Sequence, residues 1–343
     1  MSQASGAIHS IRSSITEVDR AILSLLAARM RLVSLVGEAK VAQGMPVYDP
    51  SREVEVLSIV REEAAKRGLP PDLASEIYSI IMSYSRCAQV TCPERLRIAF
   101  YGYGDMARTL ARHAARGGCW VAITGRNPKK AEEAAQTTGV EYMSVEEALD
   151  WADILIYAVP WDVVPELLRE HAKIIRESML VADIASVKKP LVERVSKLLP
   201  DGVEYVSLHP LFGPVECPAG ETVVVVPIRL DSWRHRLEAL LEGLGFRYEY
   251  VDADTHDRVM AANQVLHHAV LEAFRRAYQE LLRELNVTPG LAKLLVTRSL
   301  RQTLSVVERI ESLEKVVQEI RKGNPYADKA LEALRRALQD LHG

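Results

Sequence analysis

The sequence predicts a three-part chain: an all-α unit of three helices, a doubly wound α/β unit, and a second all-α unit. Three observations predict it. Apolar residues recur at helical spacing through the first ninety residues, short Val/Ile-rich runs alternate with helical stretches from residue 96, and long amphipathic stretches return after residue 252. The boundaries fall at 1–90, at a short linker "TCPER" (91–95), at 96–252 and at 253–343. The 343 residues suffice for two or three domains, and 48% apolar residues suffice for real cores.

In the first unit a long helix runs from about Ile8 to Gln43 and breaks at Gly44–Pro46. A second starts at Asp49-Pro50, a capping residue followed by a first-turn proline, and ends near Gly68–Pro71. A third runs from Asp72 to about Gln89. One face of the first helix carries Arg12, Ile15, Asp19, Ile22, Leu26, Arg29, Val33, Val36 and Lys40 at alternating steps of three and four. Three cations on an apolar stripe would each cost several kcal/mol if buried unpaired. An anionic ligand within the bundle explains them; a helical dimerisation unit with snorkelling Arg and Lys is the alternative. The second helix adds Asp49, Arg52 and Glu53 at its start, and the third ends an apolar row with Ser85 and Gln89. Three helices cannot bury two faces of so long a first helix, so an intertwined homodimer is expected.

The second unit opens with "LRIAFYGYGDMA" (96–107). A strand runs into Gly102-x-Gly104-x-x-Ala107 and then into a helix, the context a dinucleotide-binding turn of the Rossmann type needs. Gly102 allows the tight turn and Gly104 lets backbone approach a pyrophosphate. Tyr103, Asp105 and Met106 complete the loop, and the helix N-terminus faces the anion. The next strand ends at Gly125-Arg126-Asn127, with no carboxylate to hold a ribose 2′-hydroxyl and a guanidinium able to pair with a 2′-phosphate. NADP is expected over NAD, with NAD possible. The remaining strands are expected at "DILIYAVP", "MLVADIAS", "VEYVSLHP", "ETVVVVPI" and "FRYEYV". Ligands sit beyond the carboxyl ends of such strands. There Val159-Pro160 offers an apolar wall for a nicotinamide, Ser186 ends the next strand, and His209 ends the one after. A histidine so placed can take a hydroxyl proton while hydride leaves the same carbon.

The remaining composition mostly excludes. A net charge of −3 gives no global field for nucleic acid or an acidic membrane surface. No stretch reaches transmembrane length, and no basic-then-apolar leader opens the chain. Four scattered cysteines with no CxxC read as reduced thiols of a cytoplasmic protein, neither a disulfide framework nor a metal site.

The motifs "DIASVK", "HPLFGP" and "THDRVMAANQVLHHA", in that order over roughly residues 96–325, resemble prephenate dehydrogenase. The resemblance implies oxidative decarboxylation of prephenate to 4-hydroxyphenylpyruvate. It implies that His209 is the catalytic histidine and that Ser186 bonds both it and the substrate hydroxyl. His256-Asp257 matches a paired element near a domain junction, and His268 a substrate-side histidine. Gln264 stands at the serine of the Ser-His-Leu-Pro-His motif of many members, a variant of fused enzymes of this family, and the first histidine of that motif is absent here. Arg309, with Arg301 in support, matches the helix that supplies a substrate-binding arginine. "EVDRAILSLLAARMRLVSLVGEAK" and "PVYDPSREVEVL" resemble the all-helical chorismate mutases. That resemblance implies that Arg12 and Arg29 grip carboxylates of chorismate, with Arg29 reaching into a partner's site. Lys40 and Gln89 would bond the ether oxygen, Arg52 assist a carboxylate, Glu53 take a hydroxyl, and Asp49 and Ser85 complete the pocket. The expected chain is bifunctional, and its mutase product is its dehydrogenase substrate. Alternatives are an arogenate-specific second half, a non-catalytic nucleotide-sensing regulator, or a hydroxyacid dehydrogenase with a helical second domain.

Overall fold

The computed structural model describes residues 2–340. Helices α1 (Ser2–Ala42), α2 (Pro50–Lys66) and α3 (Pro71–Cys87) come first. Asp49 caps α2 as expected, accepting from the Arg52 amide, and Pro50 fills the first turn. An alternating stretch follows: β1 (Arg97–Tyr101), α4 (Asp105–Arg116), β2 (Trp120–Thr124), α5 (Pro128–Thr138), β3 (Glu141–Tyr142), α6 (Val145–Trp151), β4 (Ile154–Tyr157), α7 (Val164–His171), β5 (Leu180–Asp183), α8 (Lys189–Val195), β6 (Glu204–Pro210), β7 (Thr222–Arg229), α9 (Arg234–Gly243) and β8 (Arg247–Tyr250). The chain ends in α10 (Ala253–Met260), a π-helical turn (Ala261–Leu266), α11 (His267–Glu284), α12 (Pro289–Leu294), α13 (Arg298–Ser312), α14 (Glu314–Gly323) and α15 (Ala327–Asp340). All seven strands expected from the sequence form; the two-residue β3 and the π turn were not legible in it.

The strand order is β3-β2-β1-β4-β5-β6-β7-β8. β1 pairs in parallel with β2, β2 with β3, and β5 with β6. Parallel strands covered on both faces bury nearly every side chain, which is why they read as continuous apolar runs.

By internal contacts the chain forms two compact units. The first comprises Met1–Ile156, Pro210–Val223 and Asp231–Glu249. Its core includes Ile98, Phe100, Ile123, Leu149 and Leu155, and a second small core joins Cys87, Val90 and Ala219. Along α1, Ile8, Ile11, Ile15, Val18 and Ile22 are exposed, so one copy of the unit leaves this apolar face uncovered. The second unit comprises Tyr157–His209, Val224–Leu230 and Tyr250–Gly343. In it the π turn packs Ala261 and Val265 against Ile320, Ala327 and Ala330.

The cysteines correct the reading from sequence. Cys87 is bonded to Cys217 and Cys92 to Cys119, with Cα atoms 5.8 and 5.2 Å apart, and among the described residues none is free. The partners stand 130 and 27 residues apart, so no spacing motif announces them. Both bonds lie within the first unit. Disulfides belong to oxidising compartments and to intracellular proteins of heat-adapted organisms. No helix among the described residues is long and apolar enough to cross a membrane.

Candidate active sites

The helical site is built where α1 passes α3. Gly37 is the contact point: a Cβ there would lie 2.8 Å from the Cα of Gln89. Arg29 donates from Nη1 to Ser85 Oγ. Ser85 Oγ donates to the Ile81 carbonyl at 2.6 Å, and Gln89 Nε2 donates to the Ser85 carbonyl at 3.0 Å. Lys40, one turn beyond Gly37, donates from Nζ to the Val47 carbonyl at 2.9 Å. Burial holds Lys40 below its ordinary range, while the carboxylates of Asp49 and Glu53 pull it back up. Hydrogen bonds from the Ser51 hydroxyl and the Arg52 amide hold the Asp49 carboxyl below its usual range. Arg52 itself pairs with Glu55 at the exposed surface.

Two residues the sequence pattern does not single out complete this site. Gly37 is one. Arg86 is the other: its Nη1 holds Glu53 Oε1 at 2.6 Å and its Nε donates to the Ala219 carbonyl at 2.7 Å. Glu53 keeps its other oxygen for a ligand.

Arg29 bonds Ser85 of its own chain. Arg12 stands 17 residues earlier on α1, about 26 Å along the axis at the α-helical rise. It is exposed, and its side chain has no partner among the described residues. One copy of the chain therefore does not bring Arg12 to Arg29.

The dinucleotide loop, in the same unit, follows β1. Gly102 has φ 140°, a conformation that favours glycine, and its amide donates to the Thr124 carbonyl at 2.9 Å. A Cβ on Gly104 would meet nothing within 4 Å, so packing does not require a glycine there; the space is open to a ligand. Gly104 precedes α4 with no side-chain cap, leaving the first amides of that helix, from Asp105 and Met106, for an anion. These residues fit a nicotinamide dinucleotide. A Cβ on Gly125 would lie 3.1 Å from the ring of Tyr103. Arg126 is exposed with no partner among the described residues, and Asn127 caps α5 by accepting from the Lys130 amide at 3.1 Å.

The second unit holds a buried polar cluster at the ends of β5 and β6. Parallel pairing sets Asp183 beside Ser207. Lys188, with no exposed surface, reaches back between them: Nζ donates to Ser207 Oγ and the Leu208 carbonyl at 2.7 Å each, and faces Asp183 Oδ1 at 3.3 Å. Tyr205 donates to the other Asp183 oxygen at 3.1 Å. Burial lowers the Lys188 ammonium, opposed by Asp183 and Asp257. His209, 2% exposed, has Nδ1 2.8 Å from His256 Nε2 and Nε2 3.4 Å from Gln264 Nε2. Burial, Lys188 and His256 push His209 well below the ordinary histidine range. It is neutral at physiological pH and can accept a proton.

The structure joins His209 to Gln264 but not to Ser186, which is half-buried and without a hydrogen bond among the described residues. His268, in the first turn of α11, is pushed down to about 4 by burial, His267 and Arg321. Its Nδ1 is buried without a partner. Arg301 and Arg309 lie exposed on α13, and neither side chain has a partner among the described residues. Val159, half-buried, and Pro160, exposed, follow β4. Lys188, His256 and Asp257 are the participants that pattern alone did not assign to the site; a lysine that closes an apolar strand run was the available signal. Among the described residues no group of three or more His, Cys, Asp or Glu is placed to hold a metal.

Comparison with known proteins bears on both halves of the chain. Residues 11–90 match the family model "Chorismate mutase type II", and residues 110–222 match "Prephenate dehydrogenase, nucleotide-binding domain". The chain is 30% identical over 273 residues to the T-protein of Haemophilus influenzae, covering 76% of this chain and 68% of that protein. Its first part is 30% identical over 79 residues to the chorismate mutase of Methanocaldococcus jannaschii, covering 23% of this chain and 80% of that one. In fold it is similar to prephenate dehydrogenase from A. aeolicus, solved with hydroxyphenyl propionate and NAD+: TM-score 0.58 at 20% identity, over 72% of this chain and 89% of the other. The chain belongs to the T-protein family, the bifunctional chorismate mutase/prephenate dehydrogenases of tyrosine biosynthesis.

Proposed function

We propose that residues 1–90 rearrange chorismate to prephenate, that 91–95 link them to a dinucleotide-binding domain at 96–252, and that 253–343 form a helical substrate-binding and dimerisation domain. The observation that carries the bifunctional reading is the Arg29–Ser85–Gln89 cluster with Lys40 nearby. A nucleotide-dependent dehydrogenase has no use for such cations in a preceding helical unit.

The rearrangement is pericyclic and needs no nucleophile. Arg29 holds a carboxylate, Glu53 a hydroxyl, and the chair-like conformer is trapped, which removes the entropic part of the barrier. Negative charge grows on the ether oxygen as its bond to carbon breaks, and Lys40 and Gln89 oppose that charge more in the transition state than before it. Arg52, Asp49 and Ser85 shape the pocket. The separation of Arg12 from Arg29, together with the uncovered apolar face of α1, supports a homodimer in which Arg12 serves the partner's site.

In the second reaction His209 Nε2 takes the hydroxyl proton from prephenate. Hydride leaves the same carbon, the bond to the ring carboxylate breaks to release carbon dioxide, and its electron pair makes the ring aromatic. A bound oxidised nicotinamide would supply the hydride acceptor. Gly102, Tyr103, Gly104, Asp105 and Met106 would hold the pyrophosphate, and Val159 and Pro160 would offer the nicotinamide an apolar wall. NADP is favoured because a side chain at 125 would meet Tyr103, which leaves no room for an NAD-type carboxylate, and because Arg126 is free to pair with a 2′-phosphate. His268, Gln264, Ser186 and the arginines Arg309 and Arg301 take the substrate's polar groups. Biosynthetic relatives support a cytoplasmic location.

The test is reduced-cofactor formation from chorismate alone, with NADP or NAD. Turnover is expected, faster with NADP. Reduction from prephenate but not from chorismate would sink the mutase assignment; reduction only from arogenate would sink the prephenate assignment. His209→Asn should abolish reduction and leave chorismate consumption intact.

A further inference from the structure

We propose that His256 and Asp257 are positioning residues that fix the ring orientation and tautomer of His209, so that its Nε2 carries the lone pair that receives the substrate proton. The inference rests on the reading of His209 as the base. It starts at the carboxylate. Asp257, with no exposed surface, accepts from the Lys188 amide at 3.0 Å on Oδ1 and from the Lys189 amide at 2.8 Å on Oδ2. Both amides belong to the segment that enters α8, and Asn324 Nδ2 donates to the Asp257 carbonyl at 2.9 Å. The carboxylate is therefore pinned on two sides.

Asp257 Oδ1 also lies 2.8 Å from His256 Nδ1. An ionised carboxylate only accepts, so Nδ1 of His256 carries the hydrogen. Burial keeps His256 neutral despite Asp257, so its Nε2 has a lone pair. That lone pair faces His209 Nδ1 at 2.8 Å, and Nδ1 of His209 must then be the donor. The proton of neutral His209 is committed to Nδ1, and Nε2 is left as base. Gln264 Nε2 lies 3.4 Å from His209 Nε2 and the Gln264 Oε1 is buried without a partner, so the tautomer is set by the His256–Asp257 side of the ring and not by this amide. The order carboxylate, imidazole, base follows the logic by which an aspartate orients a catalytic histidine, here lengthened by one ring.

The chain also explains a burial pattern with no packing rationale. His209 and His256 are each 2% exposed beside the Lys188 ammonium, an environment that disfavours a second positive charge. Both rings are kept neutral, and the hydrogen-bond direction has a single solution.

The decisive comparison is between two variants. His256→Gln preserves the polarity: Oε1 accepts from His209 Nδ1–H, and Nε2 donates to Asp257. His256→Phe keeps the ring volume and removes both bonds. His256→Gln is expected to keep kcat for prephenate oxidation within about tenfold of the native enzyme, and His256→Phe to lose roughly 10²–10⁴-fold, the range for a misplaced general base. KM values for prephenate and cofactor should move by less than about threefold, since neither contact touches them. Nitrogen-15 spectroscopy of the imidazoles should show His209 protonated at Nδ1 in the native protein and in His256→Gln. Equal kcat in the two variants, or a native His209 protonated at Nε2, would overturn the proposal; the second readout needs no variant to fold. If His209→Asn kept its dehydrogenase activity, the base assignment itself would be wrong, an outcome separate from failure of the positioning role.

Discussion

His113 shows how a single buried side chain sets the acid limit of the fold. It is 1% exposed, its Nε2–H donates to the Leu244 carbonyl at 2.7 Å, and its Nδ1 has no partner. Burial, only partly offset by the Leu244 bond, pushes it down to about 4 from 6.5. Between those values the unfolded chain binds the proton and the folded one does not, so stability rises with pH across the window and falls on acidification. The loss is about 2–3 kcal/mol at pH 4 relative to pH 7. Urea unfolding at pH 7 and at pH 4.5 should show it, and His113→Gln should flatten the difference. His209, His256 and His268 shift the same way, so the slope should shrink without vanishing. If His113→Gln left the slope unchanged, burial of this ring would not be its source. At this scale the sequence was legible only in part. His209 was readable because it ends a strand run. Asp257 was not assigned because its partners, Lys188 and Lys189, lie 69 and 68 residues away.

At the scale of elements, periodicity carried most of the fold. The three leading helices and the seven longer strands follow from spacing, caps and prolines. β3 escaped because two residues show no alternation, and the π turn because one extra residue per turn leaves no mark on so short a stretch. That turn carries Gln264 to His209, so the unreadable element is the one at the site. Element packing also assigns Gly37 a role. Replacing it by alanine should raise helix propensity by about 0.5–1 kcal/mol. The added Cβ would sit 2.8 Å from the backbone of Gln89, a contact the helices must relieve by moving apart. Displacing Gln89 and Ser85 from Arg29 by even an ångström removes oriented contacts, which is worth roughly 10²-fold in rate. Gly37→Ala should therefore lower mutase kcat/KM by about 10–100-fold and leave prephenate oxidation unchanged, in assays with each substrate supplied separately. Unchanged mutase kcat/KM would mean that the close approach does not set the pocket.

The first unit as a whole answers why two enzymes share one chain without a flexible tether between them. Residues 91–95 are bonded on both flanks. The Thr91 amide donates to the Gly243 carbonyl and the Cys92 amide to the Gly117 carbonyl, each at 2.7 Å. Cys92 is bonded to Cys119, and Cys87, at the end of α3, is bonded to Cys217. Arg86 adds its bond to Ala219 beside them while holding Glu53. The mutase helices are thus fastened through α3 to the dinucleotide-binding part of the same unit. The Cys87–Cys217 bond closes the longer loop, 130 residues, and so constrains the unfolded chain most. Loop-closure entropy puts its contribution at about 4–5 kcal/mol. Cys87→Ser with Cys217→Ser should lower the melting temperature measurably, and native protein in excess reductant should melt at least as early as that double variant. Neither cysteine touches the catalytic groups, so both activities at moderate temperature should survive. A native protein whose melting is insensitive to reductant, or whose four cysteines all react with an alkylating agent under non-reducing conditions, would refute the staple. The fastening would then rest on Arg86, the backbone bonds of the linker and the small core at Val90 and Ala219.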